Sequence, residues 1–297
     1  MNAPRRLTEP GVLIPFIIVT LIWGSTWIVI RDQLNGVPPA WSVAYRFILA
    51  SVVMLLIALA RRERLEGART LGLASLIGVS LFCLNFNLVY QSEHYITSGL
   101  VAVIFGLLFV PNALIGRAWL KLPIERRFLA GGAVAVLGAG ALLAHEARAI
   151  TGSAGEVALG SALVLGGVLA ASVANVAQAT PLARKQGAFA LLGTAMAIGA
   201  FADVGFALLT VGAPVFDPRA AYSAGLIYLA LGGSVLAFPL YSGVIRAVGP
   251  GPAAWSSALV PVVAMALSTL FEGYQWSGLS IAGSLLVAAG LTVALKR

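Results

Sequence analysis

Charged side chains are scarce in this sequence. Only 10% of its 297 residues are Asp, Glu, Lys or Arg, while 60% are apolar. Soluble domains carry about a quarter of their residues as charges, because polar side chains must cover their surface. The composition therefore excludes an ordinary soluble domain and predicts an integral membrane protein whose surroundings are the lipid bilayer.

Cysteine and histidine are almost absent as well. The single thiol, Cys83, excludes an intrachain disulfide framework and a cysteine-rich metal site. His94 and His145 do not have the spacing of a zinc site. The spans also lack a pair of carboxylates or a Ser–His arrangement, which argues against a membrane enzyme. We expect no catalytic residue, no metal and no cofactor.

The charges that are present are mostly basic, and the net charge is +8. They stand in short clusters between apolar segments, which is a membrane-topology pattern rather than a nucleic-acid-binding patch. Fifteen basic residues fall on one predicted side of the membrane, and only Arg31, Arg148 and Arg219 on the other. The positive-inside rule then predicts a multi-pass protein of the bacterial inner membrane with both termini cytoplasmic. No nucleic-acid partner is expected.

Apolar runs of about 20 residues can cross the hydrocarbon core as helices, and the chain has ten of them. A membrane barrel would instead show short strands of alternating polarity. The predicted fold class is therefore all-α, with ten transmembrane helices. The predicted ranges are 12–30, 39–60, 71–91, 96–116, 127–145, 157–179, 187–211, 221–245, 251–271 and 277–295.

The chain repeats itself at a distance of about 150 residues. Thr97-Ser98-Gly99 opens the span that contains Pro111, and Gly251-Pro252 opens the span that contains Pro261. Other pairs in register are Tyr90 with Tyr241, Gly131 with Gly283 and Gly138 with Gly290. The predicted domains are two five-helix repeats, 1–148 and 149–297. Because five is odd, the repeats must insert with opposite topology, as in many secondary transporters.

Polar and aromatic side chains inside the spans are the candidate functional residues, because each is costly in lipid unless it faces protein or water. They can line a central cavity that binds a small molecule. Alternatively, the small polar residues hydrogen-bond neighbouring helices and the tryptophans form an interfacial belt. The residues that we assign to substrate binding are Trp23, Asn87, Tyr90, Phe105, Asn175, Gln178, Tyr241 and Trp255.

Two charges lie well within the spans, Arg46 in the second and Asp203 in the seventh. Their similar depth allows an ion pair, or Asp203 can serve in proton coupling. The remaining possibility is that Arg46 extends toward the interface and Asp203 has a local partner. The sequence leaves these three interpretations open.

The fifth and tenth spans have faces of small residues instead. Gly131, Ala135 and Ala139 form one such face, and Ser284 and Ala288 form another. Small faces let helices approach closely. We expect these two spans to pack against each other or a partner rather than to line a cavity, although no oligomer is required.

The order of these motifs resembles the EamA-type branch of the drug/metabolite transporter superfamily. The resemblance covers essentially the whole chain and is carried by Trp23-Gly24-Ser25-Thr26, Arg46-Phe47, and Thr97-Ser98-Gly99 with Pro111. It implies a basket of spans 1, 3, 4, 6, 8 and 9 around a cavity, with spans 2, 5, 7 and 10 outside. Two departures stand against it: Ala170-Ala171-Ser172 replaces a second Trp-Gly, and Leu270-Phe271-Glu272-Gly273 replaces Leu-Gly-Glu.

Within that branch, the chain is most similar to bacterial exporters of aromatic amino acids and related metabolites. This predicts a secondary transporter that exports such solutes by alternating access. A multidrug or nucleotide-precursor exporter of the same fold is the alternative. A channel is not favoured, because the sequence has no carbonyl-rich filter and no ring of charges.

Overall fold

The computed structural model describes residues 6–34, 36–96, 98–146, 154–271 and 276–295. Thr97, Arg148, Glu272 and Gly273 from the patterns above lie outside these ranges. The described chain forms ten long helical segments and a short helix, Pro181–Arg184. The ten are α1 Pro10–Gln33, α2 Pro39–Ala60, α3 Ala68–Ser92, α4 98–120, α5 Arg126–Glu146, α6 Ala154–Gln178, α7 Ala188–Thr210, α8 Ala220–Val248, α9 250–271 and α10 Gly278–Leu295.

The predicted all-α, polytopic fold is confirmed. Among the described residues, eight helical segments are long and apolar enough to cross a membrane, and Gly278–Ala294 is a shorter apolar helix. Helix α5 adds a further 21 residues. Proline stands at the first turn of α1, α2 and α9, where its missing N–H costs no hydrogen bond. The predicted ends agree with the observed ones to within a few residues.

Three segments are not regular α-helices along their whole length, which the sequence did not predict. Helix α3 contains a π-helix at Gly78–Asn85, and α8 contains one at Leu231–Leu236. Helix α4 has a short 3₁₀ turn at Gly106–Leu108. A π-helix shifts the hydrogen-bond ladder by one residue and re-aims the side chains around it.

Six helices form the inner ring. Helix α1 packs against α8 and α9, and α6 packs against α3 and α4. Helix α4 also contacts α9. The α2–α7 pair lies outside, across α3 and α8, while the α5–α10 pair contacts α4 and α9. This is the order of helices that the family resemblance implies.

The two ends of the bundle carry different contacts. At one end, which we call the basic end, Arg61 lies over the ring of Phe189 and Glu63 accepts a hydrogen bond from the Ala190 N–H at the start of α7. Arg246 donates to the carbonyl oxygens of Ala183 and Gln186 there. We call the opposite end the far end. Side-chain contacts between neighbouring segments therefore fix the basic end of the bundle.

Helices α5 and α10 cross antiparallel through their glycines, as their small faces predict. A Cβ added to Gly138 would lie 2.7 Å from the Gly283 carbonyl oxygen, and one added to Gly283 would lie 2.8 Å from that of Gly138. Gly131 and Gly290 meet in the same way about two turns further along each helix. The prediction that these two helices pack on each other is confirmed.

Candidate functional site

The candidate site lies where α1, α2, α3 and α8 meet, close to both π-helices. Ser234, in the π-helix of α8, points its hydroxyl back to the Leu229 carbonyl oxygen at 3.0 Å, five residues earlier. The carbonyl oxygen of Gly233 accepts hydrogen bonds from side chains of two other helices, α1 and α2. The irregular backbone of α8 therefore supplies an acceptor to the interior of the bundle.

Trp23 is held on α1 by contacts to α8. Its indole N–H donates to the Gly233 carbonyl oxygen at 3.2 Å. Its ring lies 4.8 Å from that of Tyr241 and 5.3 Å from that of Phe238, centroid to centroid. These are tilted and edge-to-face arrangements, which aromatic pairs prefer. The sequence-based expectation that Trp23 faces the interior rather than an interfacial belt agrees with this geometry.

Arg46 reaches from α2 into the same region. Its side chain is only 2% exposed, although it carries a full charge. Nε donates to Ser234 Oγ at 3.1 Å, and Nη2 lies 3.5 Å from the Gly233 carbonyl oxygen. The guanidinium carbon lies 4.7 Å from the ring centroid of Phe86, in cation–π range. Arg46 therefore does not extend toward the interface.

Asp203 on α7 has a different partner, and an ion pair with Arg46 is not formed. Both side chains are described, and Asp203 Oδ1 accepts a hydrogen bond of 2.7 Å from the Asn87 amide on α3. The same amide donates to the Cys83 carbonyl oxygen at 3.0 Å. The pairing was a possibility because the two charges lie at similar depth. The Asn87 amide instead donates to one oxygen of the carboxylate, from a helix that packs directly on α7.

Several predicted site residues are buried with polar atoms that lack a partner. Among the described residues, the hydroxyls of Tyr90 and Tyr241 and the amide oxygen of Gln178 make no hydrogen bond. Asn175 is buried on the same helix as Gln178. Buried polar groups in proteins are nearly always paired, so this concentration of unpaired ones marks a polar interior that a solute or water can satisfy.

Trp255 and Phe105 belong to other ring contacts. Trp255 is fully buried and stacks on Phe109 at 4.5 Å with an interplanar angle of 10°. Phe128 of α5 meets the same ring edge-on. Phe105 contacts Trp27 at 6.4 Å. We call the side chains around Trp23, together with the carbonyl that it bonds, the central group: Trp23, Arg46, Ser234, Phe238, Tyr241 and the Gly233 carbonyl. Trp255 belongs to a separate ring contact of α4, α5 and α9, and Phe105 pairs with Trp27.

Sequence reasoning missed four contributors to the central group, three rings and a backbone carbonyl. Phe82 and Phe86 on α3 contact the ring of Phe238 at 5.0 and 6.4 Å, and Phe47 on α2 contacts both of them. The Gly233 carbonyl was missed because a backbone acceptor leaves no signal in the residue types. A pair of adjacent glycines, Gly232 and Gly233, was the available clue to an irregular helix at this point.

At the far end, ion pairs join the end of α1 to the segment before α8. Arg219 pairs with Asp32 at 3.3 Å and with Asp217 at 2.6 Å. The Arg219 backbone N–H, followed by its guanidinium, holds the pKa of Asp217 below its usual value. Tyr45 donates to the Val215 carbonyl oxygen nearby. These contacts close the far end over α1, α2 and α8.

Metal ligands do not converge in the part of the chain that the structure describes. Within those ranges, no three His, Cys, Asp or Glu side chains come close enough to hold a metal ion. The polar atoms of the central group are those of a guanidinium, an indole N–H, hydroxyls and a backbone carbonyl. Such a set hydrogen-bonds an organic solute rather than a metal.

Comparison with known proteins finds a family match in the first half of the chain. Residues 11–144 match the EamA-like transporter family. This part of the chain is an EamA-type domain. The resemblance read from the motifs is thereby confirmed, and the domain indicates a transporter rather than an enzyme.

Relatives of this chain include bacterial proteins. The uncharacterized inner membrane transporter YedA of Escherichia coli K12 is 28% identical over 270 residues, which cover 88% of this chain and 84% of YedA. Protein PagO of Salmonella typhimurium is 29% identical over 168 residues, and the match spans only about half of either protein, 55%.

A solved structure shares the fold of the chain. A protein crystal structure superposes with a TM-score of 0.76 over 95% of both chains, at 19% sequence identity. At that identity the match establishes the fold alone. The chain is thus a multi-pass membrane protein of transporter type, with a small molecule as the class of substrate.

Proposed function

We propose that this protein is a secondary transporter that exports neutral amino acids, aromatic ones above all, and related small metabolites. The observation that carries the proposal is the central group, where the Trp23, Phe238 and Tyr241 rings lie beside the buried Arg46 guanidinium. Rings suit an apolar side chain, while hydroxyls, amides and the guanidinium suit a polar headgroup. An amino acid combines both.

The proposal includes two inverted five-helix repeats, 1–148 and 149–297, with the solute between them. Contacts between the halves support this, because corresponding helices make corresponding contacts. Helix α1 packs on α8 and α9 of the second half, and its counterpart α6 packs on α3 and α4 of the first half. The two π-helices lie in corresponding helices, and Gly131 and Gly138 meet Gly290 and Gly283. Transporters of this kind bind their solute at the interface of the repeats, beside irregular helices.

Alternating access requires contacts that can open at each end in turn. The Arg219 ion pairs with Asp32 and Asp217 link helices at the far end. At the basic end, the Asn112 amide on α4 donates to the Pro250 carbonyl oxygen at the start of α9, at 3.0 Å. We propose that these two sets of contacts break alternately as the halves rock.

The proposed location is the bacterial inner membrane with both termini in the cytoplasm. The distribution of Lys and Arg supports this orientation, because the basic end then faces the cytoplasm. The relative YedA, which is named as an inner membrane transporter, supports the same location. A cysteine-accessibility assay on intact cells, with cysteines placed at each end in turn, tests the orientation.

Reconstitution tests the function. Purified protein in liposomes preloaded with an unlabelled amino acid is expected to accumulate the same labelled amino acid by exchange, and aromatic amino acids are expected to exchange fastest. A panel of nucleosides and lipophilic cations is the comparison. Exchange of those compounds without exchange of any amino acid would contradict the proposal and favour the multidrug or nucleotide-precursor exporter.

The same liposomes test energy coupling. Uptake measured with and without an imposed pH gradient separates proton coupling from facilitated diffusion. If Asp203 serves in coupling, the gradient is expected to drive accumulation in the wild type and not in Asp203→Asn. Equal accumulation with and without the gradient would exclude obligate coupling to protons.

A further inference from the structure

Arg46 is a buried cation whose partners are all neutral. The side chain is 2% exposed, and the hydrogen bonds that it makes go to the Ser234 hydroxyl and the Gly233 carbonyl oxygen. The buried carboxylate Asp203 is held by Asn87 instead. A buried charge is costly without a counter-charge, because the surrounding protein replaces its hydration poorly. The described surroundings of Arg46 therefore lack a negative group.

One nitrogen of the guanidinium is also unsatisfied. Among the described residues, Arg46 Nη1 has no hydrogen-bond partner, although it is fully shielded from solvent. The hydroxyl of Tyr90, on α3, interacts with this guanidinium, and among the described residues no acceptor takes the Tyr90 proton. Two donors thus converge beside one positive charge. A carboxylate can accept from both, since each of its oxygens has lone pairs to spare.

The planar orientation of the guanidinium is fixed by its neighbours. The guanidinium carbon lies over the ring of Phe86, 4.7 Å from its centroid, and over that of Phe47 at 5.3 Å. Nε and Nη2 are used on α8, which leaves the Nη1 edge for a ligand. Arginine forms planar, directional hydrogen bonds with carboxylates, and a guanidinium held by stacking loses little entropy on binding.

The Gly233 carbonyl connects Arg46 to the aromatic rings. It accepts from Arg46 Nη2 and from the Trp23 indole, so the two side chains share one acceptor on α8. Trp23 in turn contacts Phe238 and Tyr241. A solute whose carboxylate binds Arg46 would therefore carry its apolar part next to these rings.

We propose that the Arg46 guanidinium, with the Tyr90 hydroxyl, binds the carboxylate of the transported solute. This inference rests on the proposed function and deepens it, because it makes the negative group the feature that every substrate shares. Acids are expected to be substrates, and the corresponding esters and amines are not.

The first test uses the wild-type protein and matched pairs of probes. Thermal unfolding of the purified protein is followed with L-phenylalanine, L-tryptophan, L-leucine and phenylacetate, and with the three methyl esters and 2-phenylethylamine, at constant chloride. The acids are expected to bind about tenfold or more tightly than their counterparts, because a charge-assisted hydrogen bond contributes at least that much. Lack of discrimination overturns the proposal, whether both forms bind or neither does.

The second test changes the guanidinium and its surroundings. Arg46→Gln is expected to remove the preference for acids, and Arg46→Lys to keep part of it. Gly233→Ala crowds the guanidinium without removing it, since its Cβ would lie 3.1 Å from Arg46 Nη2. Gly243→Ala is the control on the same helix, because its Cβ meets no atom within 4 Å. A full preference for acids in both Arg46→Gln and Gly233→Ala would overturn the proposal.

Failure of this site can be told apart from failure of the proposed function. Liposomes that exchange phenylalanine methyl ester as fast as phenylalanine would contradict the carboxylate site and leave the transporter intact. Tight binding of acids by a protein that exchanges no amino acid would contradict amino acid export and leave the site intact.

Discussion

The α5–α10 contact and the central group around Arg46 solve the problem of packing in lipid in opposite ways. At α5–α10, glycines bring two backbones together, and a Cβ at Gly138 would meet the Gly283 carbonyl oxygen at 2.7 Å. In the central group, large rings and polar side chains fill the space, and several polar atoms lack a partner. The α5–α10 contact has no room for a larger side chain, whereas the central group contains buried polar atoms without a hydrogen-bond partner.

This difference separates assembly from function. Small residues let helices associate closely in a bilayer, where the hydrophobic effect does not drive them together. Unpaired buried polar groups, in contrast, weaken a fold, and a protein keeps them where a ligand satisfies them. We therefore expect changes at α5–α10 to alter the amount of folded protein and changes in the central group to alter turnover.

The largest effect is expected at the glycine contact. Gly138→Val should destabilise the protein by about 3 kcal/mol, because the new side chain would push against backbone that cannot move aside. Membrane abundance and the midpoint of unfolding in detergent measure it. Gly140→Val is the control, since a Cβ at Gly140 meets no atom within 4 Å. Equal loss in both variants would mean that the valine itself, not the contact, is harmful.

A loss of turnover without loss of protein is expected for Trp23→Ala. The indole provides a hydrogen bond to Gly233 and ring contacts to Tyr241 and Phe238. Removing these contacts should lower exchange about tenfold, as expected for losing an aromatic contact and a hydrogen bond. Trp23→Phe should keep part of the activity. Wild-type exchange in Trp23→Ala would remove the basis for placing the solute there.

A smaller coupling is expected between Asn87 and Asp203. Asn87→Ala should lower transport and leave the carboxylate without its 2.7 Å hydrogen bond. Asp203→Asn should make that loss less severe, because a neutral amide needs its partner less. A double-mutant cycle on unfolding should give a coupling of about 1 to 2 kcal/mol. A coupling near zero would show that the two side chains act independently.

The smallest effect is expected at the far end. Arg219→Gln removes both ion pairs but should lower the free energy of unfolding only slightly at neutral pH. The side chains of Arg219 and Asp32 are about half exposed, and the backbone N–H at position 219 still donates to the buried Asp217 carboxylate. The pKa of Asp217 is lowered in the folded protein, first by the Arg219 backbone N–H. Its contribution to stability is thus present above the usual pKa of aspartate and is lost as pH falls through the lowered one.

A pH series of unfolding in wild type and Arg219→Gln measures this contribution. The difference between the two proteins should be constant from neutral pH down to mildly acidic pH and should shrink only in stronger acid. A difference that grows as the pH falls would have the wrong sign for a lowered pKa.

The sequence was sufficient for the helices and their outer contacts. Each helix coincides with a run of apolar residues. In the bilayer core, such a segment forms a helix because a helix pairs its backbone N–H and C=O groups within the segment. The small faces of Gly131, Ala135 and Ala139 and of Ser284 and Ala288 predicted the α5–α10 contact, since residues four apart lie on one side of a helix.

The interior of the site was less predictable. Trp23, Asn87 and Tyr241 were assigned to it from the sequence, but the hydrogen bond between Asn87 and Asp203 was not predicted. Depth along a helix does not tell which neighbour a side chain meets, and Arg46 and Asp203 at similar depth have separate partners. The π-helices at Gly78–Asn85 and Leu231–Leu236 were also missed, because local residue types such as the Gly232-Gly233 pair are only a weak signal and packing decides where a helix becomes irregular.

The most direct test of the account compares Trp23→Ala with Gly138→Ala in the same reconstitution assay. Exchange of labelled L-phenylalanine is divided by the amount of folded protein in each liposome sample. We expect normal abundance with about tenfold slower turnover for Trp23→Ala, and reduced abundance with near wild-type turnover per molecule for Gly138→Ala. The reverse pattern, with turnover lost at the glycine contact and kept in the central group, would contradict the account.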